Sequence, residues 1–140
     1  MRTAACAGFV GNIRAVAFDY DGTLAATPRP RSEVLAAIRV ARTSGLAVLL
    51  VTGRILGELR LDFPDLDDHF DVIVAENGGV IARPGLARRF GGSIDPELIA
   101  ALGGRDVPFR VGDVLLATSA DHGGTVLEEI HRLGLDHQLV

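Results

Sequence analysis

Two aspartates, Asp19 and Asp21, stand two residues apart at the end of the segment Arg14-Ala15-Val16-Ala17-Phe18, and Gly22 and Thr23 follow them. A carboxylate pair at this spacing can divide the work of a nucleophile and a general acid/base, and Gly22 lets the backbone turn sharply enough to present both. A divalent cation would offset their mutual repulsion. Two further polar clusters end apolar runs: Thr52-Gly53-Arg54 after residues 46–51, and Glu76-Asn77-Gly78 after residues 71–75. Open α/β sheets bind ligands beyond the carboxyl ends of their strands, so three such ends brought side by side would make one site.

The runs that must position these groups are short, continuous and apolar, which predicts strands buried on both faces. Between the first two, Val34, Leu35, Ile38 and Ala41 recur at the helical period, with Ser32 as N-cap and Gly45 as the stop. A shorter helix from Ile55 carries Leu56, Leu59 and Phe63 and ends at Pro64. Strand, helix, strand, helix, strand is the pattern of an α/β, doubly wound, Rossmann-like core. The texture changes at Asn77-Gly78-Gly79. Residues 80–82 and 87–90 flank a Pro84-Gly85 turn as a hairpin, residues 96–102 form a helix capped by Asp95, residues 109–118 form a strand broken near Gly112, and residues 124–133 form a helix. The expected division is therefore residues 1–78 and residues 79–140.

The 140 residues are the size of one ordinary domain, and 48% hydrophobic residues suffice for a core. A net charge of -4 without a basic run offers no footprint for a nucleic acid or an anionic membrane, and no run reaches the roughly 18 apolar residues of a membrane span. The single cysteine, Cys6, excludes an internal disulfide and fits a reducing, cytoplasmic setting. Residues 3–13 are apolar but interrupted by Gly8, Gly11 and Asn12, and read as a short N-terminal extension rather than a signal peptide. His69, in Asp67-Asp68-His69, reads as a solvated or capping residue, Glu76 as a turn residue, and Asp113 as a turn or strand-edge residue. All 14 basic residues are arginine, so the chain has no lysine.

Asp19-Tyr20-Asp21-Gly22-Thr23-Leu24 resembles the first motif of the haloacid dehalogenase (HAD) superfamily, and Val51-Thr52-Gly53-Arg54 resembles its second. Ala75-Glu76-Asn77-Gly78-Gly79 is similar to the segment that opens the large αβ cap of the sugar-phosphatase-like and cofactor-phosphatase-like branch, subclass IIB. The resemblance runs from residue 14 to 140. It implies a HAD core followed by part of an αβ cap, and a Mg²⁺-dependent phosphatase acting on a small phosphorylated metabolite. By that resemblance Asp19 attacks phosphorus to give an aspartyl-phosphate and ligates Mg²⁺. Asp21 protonates the leaving alcohol, later activates water, and binds the metal through its backbone carbonyl. Thr52 holds a phosphoryl oxygen, helped by nearby backbone N–H groups such as that of Gly53. By position, Asn77 either faces substrate from the third strand tip or is a turn residue, and Arg54 either contacts a substrate anion or forms an ion pair opening the next helix. These roles suit phosphoryl transfer, which needs positioning and charge neutralisation above all.

The departures from the family pattern are equally specific. The third motif supplies a lysine, and this chain has none. The fourth supplies further metal-binding aspartates, whereas Gly112-Asp113 is followed by Val114-Leu115-Leu116-Ala117 with no second acid. The sequence thus reads as catalytically incomplete, with residues 79–140 as the first part of a cap inserted between the second and third motifs. Its first strand would then lie at a sheet edge and invite self-association. The alternative is a non-catalytic phosphoryl- or ligand-binding module that retains the fold. A receiver domain fits less well, because its acidic pair precedes the phosphoryl acceptor by a strand, a helix and a strand.

Overall fold

The computed structural model describes residues 13–25 and 27–140; Cys6 and nearly all of the expected N-terminal extension lie outside them. Five strands form one sheet in the order β1-β2-β3-β4-β5. β1 (Ala15–Asp19), β2 (Ala47–Val51) and β3 (Val72–Ala75) are parallel, while β4 (Val80–Arg83) and β5 (Leu86–Arg89) continue it antiparallel. α1 (Ser32–Thr43) links β1 to β2, and α2 (Leu56–Asp62) and α3 (Leu66–His69) link β2 to β3. The change of texture at residues 77–79 marks a reversal of strand direction, and the sheet itself runs on through the hairpin.

Alternation along the strands sets the core. Val48, Leu50, Ile73, Ala75, Val80 and Ala82 are buried on one sheet face, together with Leu35 and Ile38 of α1 and Leu56, Leu59, Phe63, Leu66 and Phe70 from the second crossover. On the other face Leu49, Val72, Val74 and Ile81 are half-buried. The expectation that the first strand is buried on both faces is therefore corrected. β1 sits at an edge, and only Val16 and Phe18 turn toward the core.

A second apolar cluster gathers Leu98 and Leu102 of α4 (Pro96–Gly104), Val107, and Val126 and Ile130 of α5 (Gly123–Leu133). Asp95 caps α4 as its sequence position implies, accepting from the Glu97 N–H at 2.8 Å. Residues 109–118 form two strands rather than one broken one: β6 (Phe109–Val111) and β7 (Leu116–Thr118) pair antiparallel, and the Gly112 N–H donates to the Leu115 carbonyl at 2.7 Å to close the turn.

Asp71 ties the base of the sheet to α1. Its carboxylate accepts from the Val48 N–H at 2.8 Å and from the Arg42 guanidinium at 2.8 and 3.2 Å. The Val48 N–H, and then Arg42, hold the carboxyl below its ordinary range against the opposing effect of burial. A lowered folded value means that Asp71 stabilises the fold above the unfolded value of about 3.9 and loses that contribution as pH falls through the folded value. Asp71→Asn is expected to cost roughly 1 kcal/mol at neutral pH, discounted because the pair is a third exposed, and progressively less as acid is added. Urea midpoints of both proteins across an acid titration check this; a constant gap would refute it.

Candidate functional site

The parallel register brings the three strand ends together. Asp19 lies opposite Val51, Val51 lies opposite Val74, and the Thr52 N–H extends the ladder to the Val74 carbonyl at 2.8 Å. Asp19, Thr52 and Asn77 consequently follow neighbouring strands on the same sheet margin. After Asp19 the chain coils tightly: the Leu24 and Ala25 N–H groups both donate to the Tyr20 carbonyl at 3.0 Å, and Gly22 takes φ +74°. The buried Leu24 anchors that coil, leaving Asp19 and Asp21 exposed at its mouth.

The two aspartates have different partners. Asp19 accepts from the Thr23 hydroxyl at 3.2 Å through one oxygen. Asp21 is gripped by Arg54, whose Nε lies 3.1 and 3.0 Å from its two oxygens and whose Nη2 lies 2.7 Å from Oδ1. Arg54 also reaches Asp62 at 3.4 Å and lies with its guanidinium carbon 5.0 Å from the centre of the Tyr20 ring. The Asp21 hydrogen bond raises the Arg54 pKa further above its ordinary value, with burial opposing. Tyr20 is fully buried and donates its hydroxyl to the Pro28 carbonyl at 2.6 Å.

Thr52 is buried, and its Oγ1 accepts from the Arg54 N–H at 3.1 Å. A Cβ on Gly53 would fall 2.7 Å from the Asn77 Oδ1, so a side chain there would oblige the Asn77 amide to turn aside. Asn77, at φ +55°, uses the left-handed conformation that asparagine tolerates best among residues with side chains. Asp19, Asp21, Thr52, Gly53, Arg54 and Asn77 thus stand at one sheet margin. A cleft of about 490 Å³ opens there, floored by Asp21, Gly53 and Arg54, with Glu58 and Asp62 at its side and Arg110, Leu115 and Ala117 above. Of the six, only Asp21, Gly53 and Arg54 line it, and Asn77 lines a separate one. Arg110, paired with Glu58 at 2.5 Å, was not foreseen from the sequence, since nothing in its local context marks it.

His69 departs from its expectation, and Glu76 is more than the turn residue expected. His69 is buried rather than solvated; its Nε2 lies 3.1 Å from Asp65, and its ring packs 5.3 Å from that of Phe63. Glu76 is also buried, and its carboxylate accepts from the backbone N–H groups of Leu56, Asp113 and Val114 at 3.4, 3.2 and 2.8 Å. Asp113 does sit in the β6–β7 turn. No group of three or more His, Cys, Asp or Glu side chains suited to a metal ion occurs among the described residues. No helix among them is long and apolar enough to cross a membrane.

A family model described as haloacid dehalogenase-like hydrolase matches residues 16–100. No curated protein sequence matches the chain. Among solved structures, a Thermoplasma acidophilum protein is similar at a TM-score of 0.60 and 20% identity, over 87% of this chain and 58% of its own. A haloacid dehalogenase-like hydrolase from B. subtilis is similar at 0.54 and 25% identity, over 69% of this chain and 35% of its own. A HAD subclass IIB sugar phosphatase is similar at 0.51 and 25% identity, over 74% and 42%. The chain therefore spans between about a third and three fifths of the length of these structures.

Proposed function

We propose that this chain, which belongs to the haloacid dehalogenase-like hydrolase family, carries the nucleophile half of a Mg²⁺-dependent phosphoric monoester hydrolase for a small phosphorylated metabolite. The observation that carries this reading is the convergence of Asp19, Asp21, Thr52 and Arg54 on one sheet margin. An Asp19 oxygen forms a bond to phosphorus as the bond from phosphorus to the leaving oxygen breaks, and Asp21 gives that oxygen its proton. Water then attacks the aspartyl-phosphate while Asp21 takes a proton back. The Thr52 hydroxyl, which accepts from Arg54, keeps its own hydrogen for a phosphoryl oxygen. Arg54 faces two claims, because an entering phosphoryl group competes with Asp21 for the same fork.

The donor set fits Mg²⁺ in the manner usual for that ion, which takes one or two carboxylates and fills its other positions with water and substrate phosphate. Asp19 and Asp21 would hold it, and when bound it would neutralise charge on the phosphoryl oxygens. With no lysine in its 140 residues, the chain is catalytically incomplete as it stands. The test is beryllofluoride, a mimic of the phosphorylated carboxylate, read by fluorine NMR with Mg²⁺, beside turnover of an aryl phosphate. We expect an adduct that EDTA abolishes and turnover near background. A folded chain that forms no adduct would instead support a binding module that has lost this chemistry.

The edge position of β1 supports a second proposal, that two copies pair through it. Its outer backbone groups face no strand among the described residues, and exposed parallel edges recruit partners. Sedimentation should show a mass that rises with concentration, and Ala17→Lys should hold the sample monomeric. A wild-type monomer at all concentrations would rule the pairing out.

A further inference from the structure

Between β3 and β4 the chain places Glu76, Asn77 and Gly78 successively at φ +53°, +55° and +92°. Asparagine and glycine accept that region readily, but glutamate does not, so its presence there calls for compensation. The compensation is visible. Glu76 is only 3% exposed, and its carboxylate collects three backbone N–H groups from two separate parts of the molecule: Leu56 at the start of α2, and Asp113 and Val114 in the β6–β7 turn. Two glycines make room for this meeting. A Cβ on Gly112 would lie 2.6 Å from the Glu76 carboxyl carbon, and one on Gly79 would lie 2.1 Å from a Val114 methyl. Neither glycine has a positive φ, so close approach rather than backbone freedom explains both.

The β6–β7 turn hangs the roof of the cleft. Arg110 precedes it and Leu115 and Ala117 follow it, and these three line the same cleft as Asp21, Gly53 and Arg54, which we call its floor. Glu76 is also joined to the floor, because its own N–H donates to the Arg54 carbonyl at 3.1 Å. One residue therefore grips floor and roof at once. We infer that Glu76 is a positioning residue that latches the β6–β7 roof over the Asp21–Arg54 floor, and so sets the height available to the leaving group of a phosphate ester. This inference rests on the function proposed above for its chemical meaning, though the latch itself is a matter of geometry.

The test uses the 140-residue chain with Cys6→Ser and spin labels on two exposed leucines, Leu61 on α2 and Leu127 on α5, so that their separation reports roof against floor. Glu76→Gln keeps shape but replaces one acceptor oxygen by a donor. Whichever way the amide turns, at least one of the three N–H groups then faces an N–H. Gly112→Ala leaves the carboxylate intact and pushes the turn off it, which keeps the idea testable should Glu76→Gln fail to fold. We expect one narrow separation in the parent chain and a longer, broader one in both variants. Phenylphosphonate, chosen because its ring extends beyond the phosphoryl position, should bind at least about tenfold more weakly to each variant, the scale of one lost hydrogen bond. Beryllofluoride, which needs only the floor, should bind within about twofold of the parent chain's affinity. Unchanged separations in folded variants would overturn the latch, and so would equal losses for both ligands. A parent chain that takes no beryllofluoride would refute the proposed function while leaving the separations to decide the latch.

Discussion

Asp19→Asn is expected to abolish the beryllofluoride adduct, weakening binding by at least about a hundredfold, while leaving the fold intact. An amide oxygen keeps the shape of the carboxylate but lacks the charge and nucleophilicity that an acyl-phosphate mimic requires. Little stability is at stake, since Asp19 is exposed and holds only the Thr23 hydroxyl at 3.2 Å. The urea midpoint should therefore correspond to a change within about 0.5 kcal/mol, as for most surface substitutions. Asp21→Asn supplies the contrast. Its assigned work is on a proton, and its share in holding Mg²⁺ falls to its backbone carbonyl, which the amide leaves in place, so that variant should still form the adduct. If Asp21→Asn and Asp19→Asn lose it equally, the division of labour between the two acids is wrong.

The largest loss of stability is expected from Phe63→Ala, about 3–5 kcal/mol by the usual cost of emptying a core aromatic site. Folded domains commonly have only about 5–15 kcal/mol in all. Phe63 is fully buried where α2 ends, its ring lies 5.3 Å from that of His69, and the Arg29 guanidinium carbon sits 4.9 Å from its centre. Arg29 and His69 both bind Asp65, at 2.6 and 3.1 Å. Removing the ring thus undercuts a polar cluster as well as the core. Urea unfolding with an unchanged denaturant slope would report the loss directly. A change under about 1.5 kcal/mol would mean that neighbouring side chains collapse into the vacated space.

The sequence made the site legible because its chemistry is local. Asp19 and Asp21 are two residues apart, and Thr52, Gly53 and Arg54 are contiguous, so strand ends recognised from apolar runs placed them correctly. Glu76 is the turn residue its position implies, but its burial is not legible, because the N–H groups that hold its carboxylate lie 20, 37 and 38 residues away and belong to backbone, which carries no residue signal. α3 is not legible because four residues are too few for a period to show, although Leu66, its first residue, and Phe70, just past its end, are both fully buried four residues apart. The β6–β7 hairpin resembles one broken strand in sequence, because only the Gly112 N–H donating to the Leu115 carbonyl shows that the break is a turn. β1 stands at the edge that the missing later motifs imply, whereas its burial on both faces does not follow from a local apolar run: Val16 and Phe18 turn inward and Ala15 and Ala17 are exposed on the other face.

The ring beneath Arg54 has a practical consequence. Tyr20 is the chain's one tyrosine, and there is no tryptophan, so all of its near-ultraviolet phenol emission comes from a single fluorophore beside the candidate site. Burial raises the pKa of that phenol, with the Arg54 charge opposing, which keeps the ring un-ionised and its spectrum steady through neutral pH. An anion that draws the guanidinium away from Asp21 must also move it across the face of Tyr20. Occupancy could then be followed by intrinsic luminescence, with the unlabelled protein serving as its own indicator.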